Sequence, residues 1–276
     1  MEELTQENYY QDTSWLTNSR FKRYQQCQAK AFALDSGQWV EERDEIPLLL
    51  GNYVHSFFES PEAHQQFMNE NGDKLLAKTG KNKGNLKSDF VIGDKMITSL
   101  KDDDGFNHLY HGYPSDEVQK ELIVYGEIEG VPVKGKLDSV NLSRGYFVDL
   151  KTMKSIYAEE WSAELKKKVP AAVNNILGFG YHGQLSLYRE LLKQMTGKDF
   201  RPYIVAVSKE NVPDKDILKI DDEWLEEGLD KIKSEIVEVW DVIQGRKEPK
   251  KCSHCDYCRS QKKLNAVVSL NDLIEI

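Results

Sequence analysis

No apolar run in this chain approaches the roughly 20 residues that a membrane-spanning helix needs, so a helical integral membrane protein is excluded. The opening "MEELTQENYYQDTSW" lacks the basic-then-apolar pattern of a secretory signal, and a cytoplasmic location is expected. Cysteine is scarce. Four residues in a chain of 276 make a poor disulfide framework, and three of them are packed into "CSHCDYC", a spacing that in a reducing compartment points to metal. Positive charge is short as well: 37 Lys and Arg against 46 Asp and Glu leave a formal net charge of -9, which argues against a surface that binds nucleic acid all over. No internal repeat is visible.

What is present suffices for a packed core, with 39% hydrophobic and 10% aromatic residues. The charge is unevenly spread. Seven lysines lie between Lys74 and Lys101 against Asp89 and Asp94, and residues 244–263 carry seven Lys or Arg against Glu248 and Asp256. For an isolated lysine run, a solvated face or loose loop is the favoured explanation.

Residues 15–35 read as one helix capped by Asn18 or Ser19, and Leu48–Phe58 as a second. The Gly-, Lys- and Asn-rich stretch 71–89 reads as a loop. Strands follow from Glu121 to Leu142 and from Tyr146 to Thr152 around a turn at "SRG". Helices are expected over 159–168 and around 181–197, the latter closed by Gly197. Arg201–Glu210 reads as a strand, and the periodic Leu225, Leu229, Ile232, Ile236, Trp240 and Ile243 form a last helix between Asp221 and Gly245. This order predicts one α/β domain over 1–276, a short mixed central sheet flanked by helices, with the basic, cysteine-containing tail 244–276 packed on it.

"GYFVDLKT" holds the chemistry. Asp149 and Lys151, two apart in a strand, share a face. With a two-residue loop at Ser143 and Arg144, Leu142 faces Gly145 and Asp138 falls opposite Asp149. Like charges paired across strands are destabilising, and a divalent cation with hard oxygen ligands, Mg²⁺ or Mn²⁺, compensates them. An exposed edge hairpin would instead leave Asp and Lys in water. The continuous apolar run Tyr146–Val148 before Asp149 fits a strand buried on both faces, where charges need partners.

Asp138, ten intervening residues and then Asp149-Leu150-Lys151 resemble the D…(D/E)xK core of the PD-(D/E)XK nuclease superfamily. "GNYVHSFFE" resembles the G-x-x-x-H helix of its RecB-like and exonuclease VIII-like branch, and "GQLSLY", with Gln184 and Tyr188, resembles the Q-x-x-x-Y motif. The match runs from about Ser19 to Lys263, and the size and tail most resemble phage or prophage recombination exonucleases. In isolation, His55 could equally be a satisfied helix histidine, and Gln184 with Tyr188 an ordinary polar pair.

The resemblance implies a restriction-endonuclease-like fold and metal-dependent hydrolysis of linear double-stranded DNA from its ends, 5′ to 3′. His55, Asp138, Asp149 and the Leu150 carbonyl would bind Mg²⁺. Lys151 would position or activate the water, and Gln184 and Tyr188 would orient the lysine or the DNA end. Glu121 is a weaker acidic candidate, and Glu59, one turn after His55, could orient its ring. Cys27 with Cys252, Cys255 and Cys258 resembles the ligand set of a [4Fe-4S] cluster in RecB-family nucleases. Zn²⁺, with or without His254, and free thiols stay open. The basic zones, with Lys166 to Lys168, are expected to gather at a channel. The resemblance further implies a homo-oligomeric ring, a tetramer or else a trimer, and a single-strand annealing protein as partner. The alternative functions are a catalytically inactive DNA-end-binding or scaffold module of the same fold, or a zinc-knuckle module on an unrelated α/β domain.

Overall fold

Among the described residues there are eight strands: β1 (Leu16–Thr17), β2 (Val118–Ile128), β3 (Val131–Asn141), β4 (Tyr146–Met153), β5 (Glu159–Ser162), β6 (Lys167–Pro170), β7 (Arg201–Ser208) and β8 (Lys215–Lys219). The helices are α1 (Asn18–Gln26), α2 (Gln28–Asp35), α3 (Ile46–Glu59), α4 (Pro61–Leu75), α5 (Ser88–Lys101), α6 (Asp104–His111), α7 (Ala171–Gly178), α8 (Tyr181–Thr196), α9 (Asp222–Ile243) and α10 (Asp256–Ser260). The structure, a computed structural model, describes residues 4–41, 44–264, 267 and 269–270. The rest of the predicted tail lies outside them. Among the described residues no helix is long and apolar enough to cross a membrane.

Six strands make one mixed sheet. β3 pairs antiparallel with β2 along its whole length, and β4 runs parallel to β7, whose other edge takes antiparallel β8. Strands β4 and β7 are buried on both faces, as their near-continuous apolar sequences require. One face packs Phe147, Ile204 and Ala206 with Leu185 of α8 and Ile232 of α9. The other packs Val148, Leu150, Val205 and Val207 with Val54 of α3 and Met96 of α5.

The β3–β4 ladder is short. It runs only from Asn141↔Tyr146 to Ser139↔Val148, after which the strands diverge, and β1 takes the vacated edge of β3 at Val133 and Lys134. This register puts Asp138 opposite Asp149, as the sequence suggests. The loop differs: four residues, 142–145, closed by Gly145 N–H donating to Asn141 O at 3.0 Å, with Gly145 at φ +68°. The alternation of faces also inverts at this level. Leu137 and Gly135 face the α8 side, where Gly135 admits the Tyr188 ring, whereas Ser139 donates to Tyr110 O of α6 on the opposite face. Glu121, at the matching level of β2, carries φ +50°.

Three expectations are corrected. The first helix breaks at Cys27, whose extended backbone (φ -166°, ψ 108°) ends α1 and starts α2, and its N-cap is Thr17, which accepts from Arg20 N–H. Residues 159–168 form the antiparallel pair β5–β6 rather than a helix: Ser162 and Val169 are buried, Trp161 and Lys168 exposed, a strand alternation obscured by charged neighbours. The stretch 71–89 is shorter as a loop than predicted, because α4 reaches Leu75, α5 starts at Ser88, and a Leu76↔Leu86 bridge closes the gap.

Candidate active site

The fork between β3 and β4 gathers the charged residues of the sequence motifs. Where the ladder stops, Leu150 N–H has no strand partner, and Asp138 Oδ2 accepts from it at 2.7 Å. Asp138 is thereby turned into the gap. In a strand a residue's N–H and C=O point to the same edge, so the Leu150 carbonyl opens on the same gap. From α3, His55 brings Nδ1 to 3.4 Å from Asp138 Oδ2. Asp138, not Glu59, is therefore the carboxylate on the His55 ring; Glu59 lines the cleft one turn further.

Asp149 and Lys151 lie on the α8 face, with Lys151 Nζ 2.6 Å from Asp149 Oδ2 and 4.8 Å from the centre of the Tyr181 ring. The ammonium touches that oxygen outside hydrogen-bonding angles, so Asp149 Oδ2 is buried with no aligned donor. Glu121, opposite Asp138 on β2, pairs with Lys136 at 2.6 Å. Three carboxylates, Glu121, Asp138 and Asp149, thus cross three strands at one level.

Burial raises Asp149, reinforced by Asp138 and opposed by Lys151. It would also raise Asp138, but His55 and Lys151 outweigh it and hold that carboxyl low. Burial and Asp138 together raise Glu121. His55 and Lys151, which burial alone would push down, are raised by the carboxylates they face.

Gln184 Nε2 donates to the Tyr188 hydroxyl at 3.2 Å, and Tyr188 is buried against Gly135, where a Cβ would meet its ring at 2.3 Å. A cleft of about 940 Å³ opens over the fork, lined by His55, Glu59, Glu121, Asp138, Gln184 and Tyr188 together with Arg20, Lys22, Arg23, Lys134 and Lys136.

Its cations come from α1 and β3, not from the two basic zones. Of those zones Lys74 pairs with Glu45, Lys250 with Glu238, and Arg246 and Lys247 with Asp241, while in the cleft Arg20 and Arg23 pair with Asp35 and Lys136 with Glu121. Sequence reasoning missed Lys22 and Tyr181. Burial and the neighbouring Lys151 pull Lys22 down to about 8, and its ammonium donates to Phe179 O at 2.5 Å. The signal for Tyr181 was available, since 181, 184 and 188 share one helical face.

The four cysteines converge. Their sulfurs lie within 4.8 Å of one another, with Cys27 Sγ 3.6 Å from Cys258 Sγ and Cys252 Sγ 3.9 Å from Cys258 Sγ, and none is in a disulfide. Backbone N–H groups of Lys30, Cys255 and Cys258 point at Cys27, Cys252 and Cys255 sulfurs. Among the described residues, His254 is not part of the set.

Residues 17–261 match the family described as a PDDEXK-like domain of unknown function (DUF3799), and the chain belongs to it. Among curated proteins none matches. The crystal structure of a candidate exonuclease from Eubacterium rectale superposes with a TM-score of 0.83 at 28% identity, over 99% of this chain and 98% of that one. The crystal structure of SSO0001 gives only 0.31 at 13% identity, over 90% and 96%, and carries no argument. The mixed sheet flanked by helices is that of the PD-(D/E)XK nucleases, and the comparisons support a nuclease.

Proposed function

We propose that the protein is a divalent-metal-dependent exodeoxyribonuclease that degrades linear double-stranded DNA. The observation that carries this reading is the fork, where His55 and Asp138 line an open cleft and Asp149 and Lys151 form a buried pair on the neighbouring strand. The residues fit a cation. Asp149 Oδ2 is buried without an aligned donor, two further carboxylates crowd the same level, and oxygen donors with one imidazole suit Mg²⁺ or Mn²⁺. His55, Asp138, Asp149 and the Leu150 carbonyl would hold it, with Glu121 as the third acid. When bound, such an ion neutralises phosphate charge and makes a coordinated water more acidic.

The chain's own groups supply the rest. Lys151 presents its ammonium beside Asp149, where it stabilises negative charge building on the phosphoryl oxygens. Tyr181 supports that ammonium from α8, and Gln184 with Tyr188, whose ring is buried on Gly135, shapes the wall on which the DNA end is oriented. Incubation of linear and covalently closed duplex DNA with Mg²⁺, Mn²⁺ or EDTA tests the reading. Degradation of the linear form with a cation alone is expected; activity in EDTA, or equal attack on closed circles, overturns it.

The motif set of His55, Gln184 and Tyr188 favours the exonuclease VIII-like branch, and with it 5′ to 3′ degradation in DNA recombination, a ring-shaped homo-oligomer and a single-strand annealing protein as partner. The cysteines suit one zinc ion better than an iron–sulfur cluster. Tetrahedral Zn–S bonds of about 2.3 Å place sulfurs about 3.8 Å apart, close to the 3.6 and 3.9 Å of two of the pairs, in a set whose sulfurs all lie within 4.8 Å of one another. A [4Fe-4S] cluster puts each thiolate on a different iron and spreads them further. Such an ion ties the tail to the α1–α2 junction, and α1 is a wall of the cleft. One zinc per chain and no absorption band near 400 nm are expected; a visible iron–sulfur band contradicts this.

A further inference from the structure

Residues 4–15, before β1, belong to no helix or sheet, yet they are fastened along the cleft. Lys134, 1% exposed, donates to the carbonyl oxygens of Tyr9 and, at 2.7 Å, Asp12. Gln6 Nε2 donates to the Glu121 carbonyl at 2.7 Å, and Trp15 meets Tyr125 edge-on at 5.5 Å. These anchors set Tyr9, Tyr10, Asp12 and Trp15 into the wall of the cleft that holds Asp138.

The two tyrosines differ. Tyr9 is buried, whereas Tyr10, edge-on to it at 5.1 Å, is 78% exposed. The Lys136 ammonium lies 5.2 Å from the centre of the Tyr10 ring and 2.6 Å from Glu121, so only one cation separates this ring from the row of carboxylates. An aromatic ring held in water by a built anchor, beside a cation and inside a catalytic cleft, offers the two contacts a nucleotide needs. A base stacks on the ring, and the phosphate finds the ammonium.

Resting on the nuclease reading above, we infer that Tyr10 is a nucleobase-stacking subsite that receives the base next to the phosphate held at the fork. Every base has a π-face, so the contact tolerates any sequence. A base inside a duplex has both faces covered by its neighbours, whereas a terminal or unpaired base leaves one free. Tyr10 therefore reads an end, which ties the exonucleolytic mode to a residue outside the metal-binding set.

The test is a binding titration in EDTA, read by fluorescence anisotropy of labelled duplexes. Each of the three terminal nucleotides of either strand is replaced in turn by an abasic residue. Tyr10→Ala should weaken binding about 5- to 150-fold, the range expected for loss of one base–aromatic stack, and Tyr10→Phe should restore it. One abasic position should weaken the wild type similarly and cost Tyr10→Ala nothing more. Unchanged binding by Tyr10→Ala, failure of Tyr10→Phe to restore it, or no abasic position coupled to Tyr10 overturns the inference. The nuclease reading survives any of these if the wild type still degrades linear DNA with Mg²⁺. A wild type that neither binds nor degrades DNA refutes both.

Discussion

Lys151→Met separates the structural from the proposed catalytic use of charge at the fork. The ammonium lies 2.6 Å from Asp149 Oδ2, and the two side chains are only 17% and 8% exposed. Removing one partner of a buried pair costs roughly 3–5 kcal/mol, because the other is left as an uncompensated charge. For 276 residues an unfolding entropy of about 2.1 cal/mol/K per residue gives about 0.6 kcal/mol per degree, so the melting temperature should fall by about 5–9 °C.

The stranded charges are carboxylates, so a divalent cation can replace the lysine as counter-charge. At a hundred times its Kd it returns about 2.7 kcal/mol, or nearly 5 °C. Calorimetry in EDTA and in Mg²⁺, with a cleavage assay alongside, should therefore show a large loss in EDTA, a greater gain from Mg²⁺ than in the wild type, and no return of cleavage. The double variant Asp149→Asn/Lys151→Met should recover most of the loss without any cation. A variant within one degree of wild type in EDTA, or with the same Mg²⁺ shift, would mean that Lys151 and Asp149 are not a coupled buried pair.

Other expectations follow from single contacts. Gly135→Ala puts a Cβ 2.3 Å from the buried Tyr188 ring, and a loss of about 1–3 kcal/mol is expected by chemical denaturation; wild-type stability would mean that the ring yields freely. Burial pulls Lys120 down to about 7, below its ordinary value of about 10.4, so between those values the unfolded chain binds more protons and folding strengthens as pH rises. The melting temperature of the wild type relative to Lys120→Met should therefore climb from pH 7 to pH 10, and a flat difference would contradict this. Cys27→Ser should lower both bound zinc and thermal stability, whereas unchanged metal content would remove Cys27 from the site. DNA affinity should fall steeply with salt through contacts made by Lys22, Arg23 and Lys136; a flat response would mean that the cleft does not meet phosphate.

The clustering of charged residues at the candidate site was legible because its signals are local. The pairing of Asp138 with Asp149 needs only a short hairpin, and Asp149 with Lys151 only strand alternation. The inversion of faces at Glu121 and Asp138 was not legible, since it arises where two strands part and β1, distant in sequence, replaces one of them. Lys22 was missed for a similar reason: it reaches the fork through a helix more than a hundred residues away. The β5–β6 pair was misread because "EEWSAELKKK" has helix-forming residues throughout, and burial of Ser162 and Val169 against the body of the fold overrides that propensity. The convergence of Cys27 with the tail was foreseen only through a resemblance, as nothing in residues 28–251 announces it.

Release of acid-soluble label from an end-labelled linear duplex is the decisive assay for metal-dependent cleavage at the fork, with wild type and Asp149→Asn compared in Mg²⁺ and in EDTA. Release by the wild type in Mg²⁺ alone is expected, with a loss of about a hundredfold or more for Asp149→Asn in a chain that still folds. Release by Asp149→Asn at the wild-type rate would contradict metal-dependent cleavage at the fork, as would release in EDTA.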